Sequence, residues 1–333
     1  MSSRRIIFRC DASSRIGSGH LIRCTALAHA LGELGIQSVM ASAELGASDE
    51  ARLVSAGIEV LNLPKGEQQA GVLAGVSGEA LVLDHYHLQA DYLDRWHETG
   101  RPVLQLIDSG EPRPGVSIAL NQNLGAQIPE RRGLLRLEGL DYALLRPVFQ
   151  REALVDLTAP VRRCLVTLGA ADADGYTRTV LELMESLARR RRLTLVTVVG
   201  GLNPHADQLR RYAHDRPWIE LHENVAEMAT LMRSCQVALS TSGSTLWELC
   251  AVGLPRVVFS IAANQRPLAH QAAKRELAVD LGWANTLKRA EVEASVETLV
   301  TDLAWRERQV RRGRQLVDGR GAQRVAKILM EAL

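Results

Sequence analysis

Short apolar runs alternate with stretches of helical periodicity along almost the whole chain, and near residue 160 the alternation starts afresh. Strands are expected at Arg5 to Arg9, Gln37 to Ser42, Glu59 to Leu63, Ala80 to Leu83, Pro102 to Ile107 and Ile118 to Asn121. Helices at Leu21 to Leu34, Ser48 to Ala56 and Asp91 to Thr99 fall among them. Glu130 to Val155 reads as polar loop, which places a boundary near Gln150 to Pro160. The second series has strands at Cys164 to Thr167, Thr194 to Val199, Ile219 to Leu221, Val237 to Ser240 and Arg256 to Phe259. Its helices are Thr177 to Arg189, Pro204 to His214, Val225 to Cys235 and Leu246 to Val252, with only helices after Phe259. Short strands buried on both faces and joined by helices pair in parallel. The expectation is an α/β protein of two Rossmann-like domains, residues 1–152 and 160–333, facing a central cleft.

Composition narrows the partners. Of 333 residues 46% are hydrophobic and 23% charged, and the formal charge is only +2, which argues against nucleic acid and anionic membranes. A small molecule is the default ligand. No apolar run has the length of a membrane span, and a strand begins directly after Arg4-Arg5, so no membrane insertion and a cytoplasmic location are expected. Cys10, Cys24, Cys164, Cys235 and Cys250 are scattered without C-x-x-C spacing and read as small core residues. Arg189 to Arg192 reads as a solvated helix end, its cations opposing the helix dipole. His29, His97 and His214 fall in amphipathic helices as surface or packing residues.

Three segments carry possible chemistry. The first runs from Ile6 through Cys10-Asp11 to Gly17-Ser18-Gly19-His20, a strand, a glycine-bearing turn and a histidine where a helix begins. Gly17 and Gly19 allow close approach to a ligand, and helix-start amides favour an anion. At the positive end of a helix dipole the neutral imidazole is favoured, which suits His20 to a general base; a helix cap is the other reading. Asp11 either orients His20 or caps the turn. The second segment is Asp84-His85-Tyr86-His87, at the carboxyl edge of a buried strand. It offers Tyr86 as a substrate contact or a proton relay through Asp84 and His85, and its two histidines lack a third ligand for a metal. Asp108 ends the next strand on the same rim. The third is Ser240 to Glu248, where a strand enters a hydroxyl-rich turn that opens a helix. Its amides and hydroxyls suit a diphosphate, and Glu248 either accepts ribose hydroxyls or is an exposed helix residue. Gly169 and Gly200-Gly201 mark further phosphate-type turns, none of which matches G-x-G-x-x-G or a P-loop.

Taken together these segments resemble a known family. Arg9 to His20, Leu83 to Tyr86, Leu140 to Phe149, His222 to Met232, Ser240 to Glu248, and Ala251 to Pro255 leading to Asn264-Gln265 are similar, in order and spacing over Arg4 to Gly282, to the UDP-sugar hydrolases of pseudaminic acid biosynthesis. That family resembles the glycosyltransferase of peptidoglycan lipid II synthesis and shares its GT-B fold. The resemblance implies removal of UDP from UDP-2,4-diacetamido-2,4,6-trideoxy-β-L-altropyranose by inverting attack of water at the anomeric carbon. It implies His20 as the base, Asp11, Gly17, Gly19, Tyr86, Asn264 and Gln265 on the sugar side, and Gly169, Ser242, Gly243, Ser244, Thr245 and Glu248 around UDP. The expected partners are the UDP-sugar and water, with a monomeric chain, no cofactor and no metal.

The turn Leu168-Gly169-Ala170-Ala171-Asp172 departs from the family, which tends to have a second glycine and a hydroxyl residue there. Beyond about Trp283 the resemblance fades, leaving the Trp305 to Leu333 helices as a cap that packs back on the first domain. A GT-B glycosyltransferase with a UDP-sugar donor and a non-catalytic sugar-nucleotide binding module are the alternatives.

Overall fold

A computed structural model of the protein describes residues 4–13, 16–66, 68–86, 88–150 and 154–333. Ser14, Arg15 and His87 of the segments above, and residues 151–153 of the loop, lie outside the described residues. The chain divides into two compact units, Met1–Pro147 with Gly319–Leu333, and Val148–Asp318.

The first unit alternates β1 (Arg5–Cys10), α1 (Gly19–Gly32), β2 (Gln37–Ser42), α2 (Ala47–Ser55), β3 (Glu59–Asn62), α3 (Gln68–Gly75), β4 (Ala80–Asp84), α4 (Asp94–His97), β5 (Val103–Leu106), β6 (Ile118–Asn121) and β7 (Leu135–Glu138). The strands pair in parallel in the order β3-β2-β1-β4-β5-β6-β7. The order turns back between β1 and β4, and the carboxyl ends of two such strands are where open α/β sheets bind ligands.

Alternation along these two strands decides which side chains meet. Ile6, Phe8 and Cys10 of β1 and Ala80 and Val82 of β4 share one core with Leu21, Cys24, Leu27 and Leu31 of α1. Ile7, Leu81 and Leu83 belong to the core of the opposite face, with Trp96. Successive strand side chains point to opposite faces. Asp84 therefore falls on the α1 face, and Arg9 and Asp11 fall on the other.

The second unit alternates β8 (Arg163–Thr167), α5 (Tyr176–Arg191), β9 (Thr194–Val199), α6 (Ala206–His214), β10 (Ile219–Glu223), α7 (Met228–Arg233), β11 (Val237–Thr241), α8 (Thr245–Val252), β12 (Arg256–Ser260), α9 (Gln265–Lys274), β13 (Val279–Trp283), α10 (Arg289–Thr301) and α11 (Leu303–Leu316). Its parallel order is β10-β9-β8-β11-β12-β13, with the reversal between β8 and β11. The Arg189 to Arg192 run is paired as well as solvated: Arg189 reaches Glu185 at 2.8 Å, and Arg190 approaches Glu293 and Glu297 of α10.

Strands β7 and β13 correct the sequence reading, which has loop at the first and only helices at the second. Both are edge strands with largely accessible side chains, so neither shows the doubly buried apolar run that marks an interior strand. Helix α3 is likewise additional, and the Asp91 to Thr99 helix is a 3₁₀ turn at Ala90–Leu93 followed by the short α4. The C-terminal helices separate. Helix α11 stays in the second unit beside α8, whereas α12 (Gly321–Glu331) lies in the first, adding Ala322, Val325, Ala326 and Leu329 to the α1 core.

Gly321 makes this last packing possible. A Cβ there would stand 2.5 Å from the backbone nitrogen of Ala143 and clash with its carbonyl oxygen. Neither atom is a flexible side-chain end, so relief requires moving the helix. Gly321→Ala is expected to destabilise the protein by about 1–3 kcal/mol, in the range of overpacked cores, and thermal unfolding of the variant checks it.

Candidate functional site

The carboxyl ends of β1 and β4 hold a buried ionic cluster. Gly17, just before α1, adopts φ +82° and donates its N–H to Ser13 O at 2.7 Å. His20 lies in the first turn of α1 and is 7% exposed; its Nδ1 is 2.6 Å from Oδ1 of the fully buried Asp84. Arg23, one turn on, donates from Nε to Asp84 Oδ2 at 2.5 Å and from Nη2 to Oδ1 at 2.6 Å. Its Nη1 donates to both oxygens of Asp108, at 2.9 and 3.0 Å. Asp108 also accepts from Asn123 Nδ2 at 2.8 Å and from the Tyr86 hydroxyl. The Tyr86 ring meets the His20 ring edge to face, with centroids 4.5 Å apart.

Burial alone would raise the Asp84 carboxyl, but the Arg23 charge and the hydrogen bonds from Arg23 and His20 hold it well below the ordinary carboxylate range. Asp108 is lowered in the same way, burial being outweighed chiefly by Arg23. An ionised carboxylate only accepts hydrogen bonds. The close contact to Asp84 therefore places a proton on His20 Nδ1, and in the neutral ring the lone pair is then on Nε2. Tyr86 is pushed the other way, by burial and the Asp108 charge, and remains a phenol whose proton lies toward Asp108.

Asp11 does not orient His20. It accepts from Arg9 Nη1 at 2.6 Å and Nη2 at 3.0 Å, from Ser42 Oγ at 2.9 Å and from the N–H groups of Ala43 and Glu44 at 2.8 and 3.1 Å. Its other ionisable partner is His85, Nε2 lying 3.0 Å from Oδ2. The proton relay through Asp84 and His85 is corrected by the same geometry, since Asp84 faces α1 and His85 meets Asp11. Burial would raise the Asp11 carboxyl; hydrogen bonds from His85 and Arg9 with the Arg9 charge hold it far below the usual range. Asp11 thus ties the end of β1 to the loop after β2. Among the described residues no group of three or more His, Cys, Asp or Glu side chains is arranged to hold a metal ion.

In the second unit the turn Ser242-Gly243-Ser244 carries β11 into α8. Ser242 is fully buried, and its own groups are already engaged: N–H donates to Phe259 O at 3.1 Å, and Oγ lies within 3.0–3.3 Å of Ser260 Oγ, Phe259 O and Gln265 O. Ser242 builds the turn rather than offering a hydroxyl, which corrects its assignment as a phosphate contact. Ser244 and Thr245 open α8, where Leu246 N and Trp247 N already donate to Gly243 O and Ser244 O at 3.0 Å and no side chain caps the start, and Glu248 is 8% exposed on its first turn. Asn264 and Gln265 open α9 after the adjacent β12. Gln265 Oε1 accepts from Ile261 N at 3.0 Å, and its Nε2 lies 3.7 Å from where a Cβ of Gly243 would stand. The structure thus brings Gly243, Ser244, Thr245, Asn264 and Gln265 to one edge of the sheet.

The other glycine turns are occupied differently. Gly169 has φ +89°, and behind it Asp172 accepts from Tyr176 N and Thr177 N, both at 2.9 Å, so a carboxylate already caps α5. A second anion there would meet like charge. Gly200 lies against this turn: a Cβ would stand 2.7 Å from the Ala170 carbonyl carbon, and Leu202 N donates to Ala170 O at 3.1 Å. The Gly200-Gly201 turn packs on the Gly169 turn, and α8 keeps the uncapped helix start.

Comparison with known proteins follows this division. Residues 163–318 match the glycosyltransferase family 28 C-terminal domain. The spore coat polysaccharide biosynthesis protein SpsG of Bacillus subtilis is 26% identical over 331 residues, covering 96% of each chain. The UDP-2,4-diacetamido-2,4,6-trideoxy-β-L-altropyranose hydrolase of Campylobacter jejuni is 26% identical over 291 residues, 83% of this chain and 98% of that one. Among solved structures, MurG of Acinetobacter baumannii superimposes with a TM-score of 0.68 at 14% identity over 98% of this chain and 99% of its own. The fold is GT-B.

Proposed function

Because the chain is 26% identical to the Campylobacter altropyranose hydrolase and its second unit matches the glycosyltransferase family 28 C-terminal domain, we propose that it hydrolyses a UDP-linked sugar. The substrate of that relative, UDP-2,4-diacetamido-2,4,6-trideoxy-β-L-altropyranose, is the one to try first. The observation that carries the reading is the buried Asp84–His20 pair, because a neutral imidazole with Nδ1–H held by a carboxylate presents Nε2 as a proton acceptor.

In the proposed reaction a water oxygen attacks the anomeric carbon on the face opposite UDP and its proton passes to His20 Nε2. The bond from the anomeric carbon to the phosphate oxygen breaks with inversion, and UDP leaves with the electron pair. With Asp84 and Asp108 ionised and Arg23 charged, the cluster carries one net negative charge while His20 is neutral; the proton from water brings it to zero. On the leaving-group side, the amides and hydroxyls of Gly243, Ser244 and Thr245 meet the diphosphate charge at the positive end of α8. Glu248 accepts the ribose hydroxyls, and Asn264 and Gln265 contact the sugar or its phosphate. Glu248→Gln is expected to weaken UDP binding by about 10–100-fold, since a hydrogen bond to a charged group is worth about 1.5–3 kcal/mol; calorimetric titration with UDP checks it.

The family 28 match and the likeness to MurG favour a second reading, transfer of the sugar to an acceptor. Incubation with UDP-sugars in buffer separates the two. A hydrolase releases UDP without any acceptor, a transferase requires one, and a binding module releases none under either condition.

A further inference from the structure

We propose that Arg23 is a positioning residue for His20, holding the Asp84 carboxylate in the one orientation that keeps the imidazole proton on Nδ1. The proposal rests on the hydrolase reading for its kinetic consequence and on the ionic cluster for its geometry. Arg23 follows His20 by three residues on α1, so the two side chains share a face. Its guanidinium donates to both oxygens of Asp84 through Nε and Nη2, a planar fork that sets the carboxylate plane as well as its place. The Oδ1 so fixed is the atom that lies 2.6 Å from His20 Nδ1.

A donor and an acceptor both stand beside that nitrogen. Arg23 Nη2 lies 3.3 Å from His20 Nδ1, so an imidazole with its lone pair on Nδ1 would accept from the guanidinium. That tautomer would set two lone pairs against each other across the shorter Nδ1 to Oδ1 contact. The bond to Asp84 prevails because the fork keeps Oδ1 in place and Nη2 directed at it. The third nitrogen extends the hold. Nη1 donates to both oxygens of Asp108, which accepts a hydrogen bond from the Tyr86 hydroxyl, and the Tyr86 ring braces His20 edge to face. One guanidinium thus anchors the imidazole at its nitrogen and at its ring.

A lysine in this position has a single point charge and cannot span two carboxylates in a fixed plane. With the fork lost, the ammonium can donate to Nδ1, and Nε2 then carries the proton. In the full chain labelled with nitrogen-15 histidine, His20 identified by the loss of its signal in His20→Gln, the wild type is expected to show the Nδ1–H tautomer and Arg23→Lys a mixture. In the same variant kcat for UDP release should fall by about 10–100-fold, the scale of a misplaced catalytic group, with KM essentially unchanged. If Arg23→Lys does not fold by circular dichroism, Asp108→Asn, which keeps the Arg23–Asp84 fork and weakens its second anchor by removing the charge and one acceptor, is expected to show the same pair of changes at smaller size. A merely structural ion pair would move neither tautomer nor kcat at constant KM. Unchanged tautomer with wild-type kcat, a loss confined to KM, or a change in either quantity without the other overturns the proposal. If the wild type releases no UDP, the hydrolase reading fails by itself, and the tautomer spectra still decide whether Arg23 holds the ring.

Discussion

Replacing His20 by alanine is expected to lower kcat for the preferred UDP-sugar by about 1,000-fold, within the 10²–10⁴ that a general base supplies, while UDP binds as tightly as before. The separation is what carries information. His20 lies in the first unit, and the groups assigned to UDP lie on α8 and at the start of α9 in the second. Steady-state UDP release together with calorimetric titration reads both quantities. Wild-type turnover in a folded His20→Ala protein would remove the base from the proposed reaction, and a loss of UDP affinity would place His20 at the nucleotide instead.

A comparable effect is expected from Asp84→Asn. The amide can turn its NH₂ toward His20 Nδ1 and its oxygen toward Arg23, which selects the imidazole with its proton on Nε2 and leaves no acceptor for the proton of water. The same exchange beneath a catalytic histidine in serine proteases costs about 10⁴-fold in kcat, so a loss of about 10³–10⁴-fold is expected here. The variant should also unfold more easily, by about 3 kcal/mol, because Arg23 is buried and keeps only Asp108 as an ionic partner. Kinetics and chemical denaturation test the two halves separately. Full activity with the expected loss of stability would make Asp84 a structural counter-ion alone.

Much of this was legible in the residue order, and the remainder has physical causes. Parallel α/β halves follow from doubly buried strands such as Ala80 to Leu83, whose apolar character does not depend on context. Edge strands β7 and β13 escape the same reading because half of each faces solvent. His20 and the Asp84 to Tyr86 segment stand out from their positions after strands, but their pairing depends on faces. Asp11 is nearer to His20 in sequence than Asp84 is, yet one residue past Cys10 reverses the side-chain direction. Counting by two along β1 and β4 would have assigned Asp84 to α1 and Asp11 to His85. Arg23 was the least visible member, since an arginine one turn into a helix reads as a solvated cation until two aspartates at adjacent strand ends require a partner. Ser242 misleads for the opposite reason. Its hydroxyl resembles those of Ser244 and Thr245 in the sequence, and only the approach of β12 and Gln265 shows it engaged within the fold.

Hydrolysis of the UDP-sugar in oxygen-18 water, with no acceptor present, tests the central claim most directly. Attack of water at the anomeric carbon puts the label in the released sugar and leaves UDP unlabelled, with the wild type turning over and His20→Ala nearly silent. Label in the β-phosphate of UDP would mean attack at phosphorus, and no UDP release until an acceptor is added would mean transfer; either result contradicts a His20 that activates water for attack at the anomeric carbon.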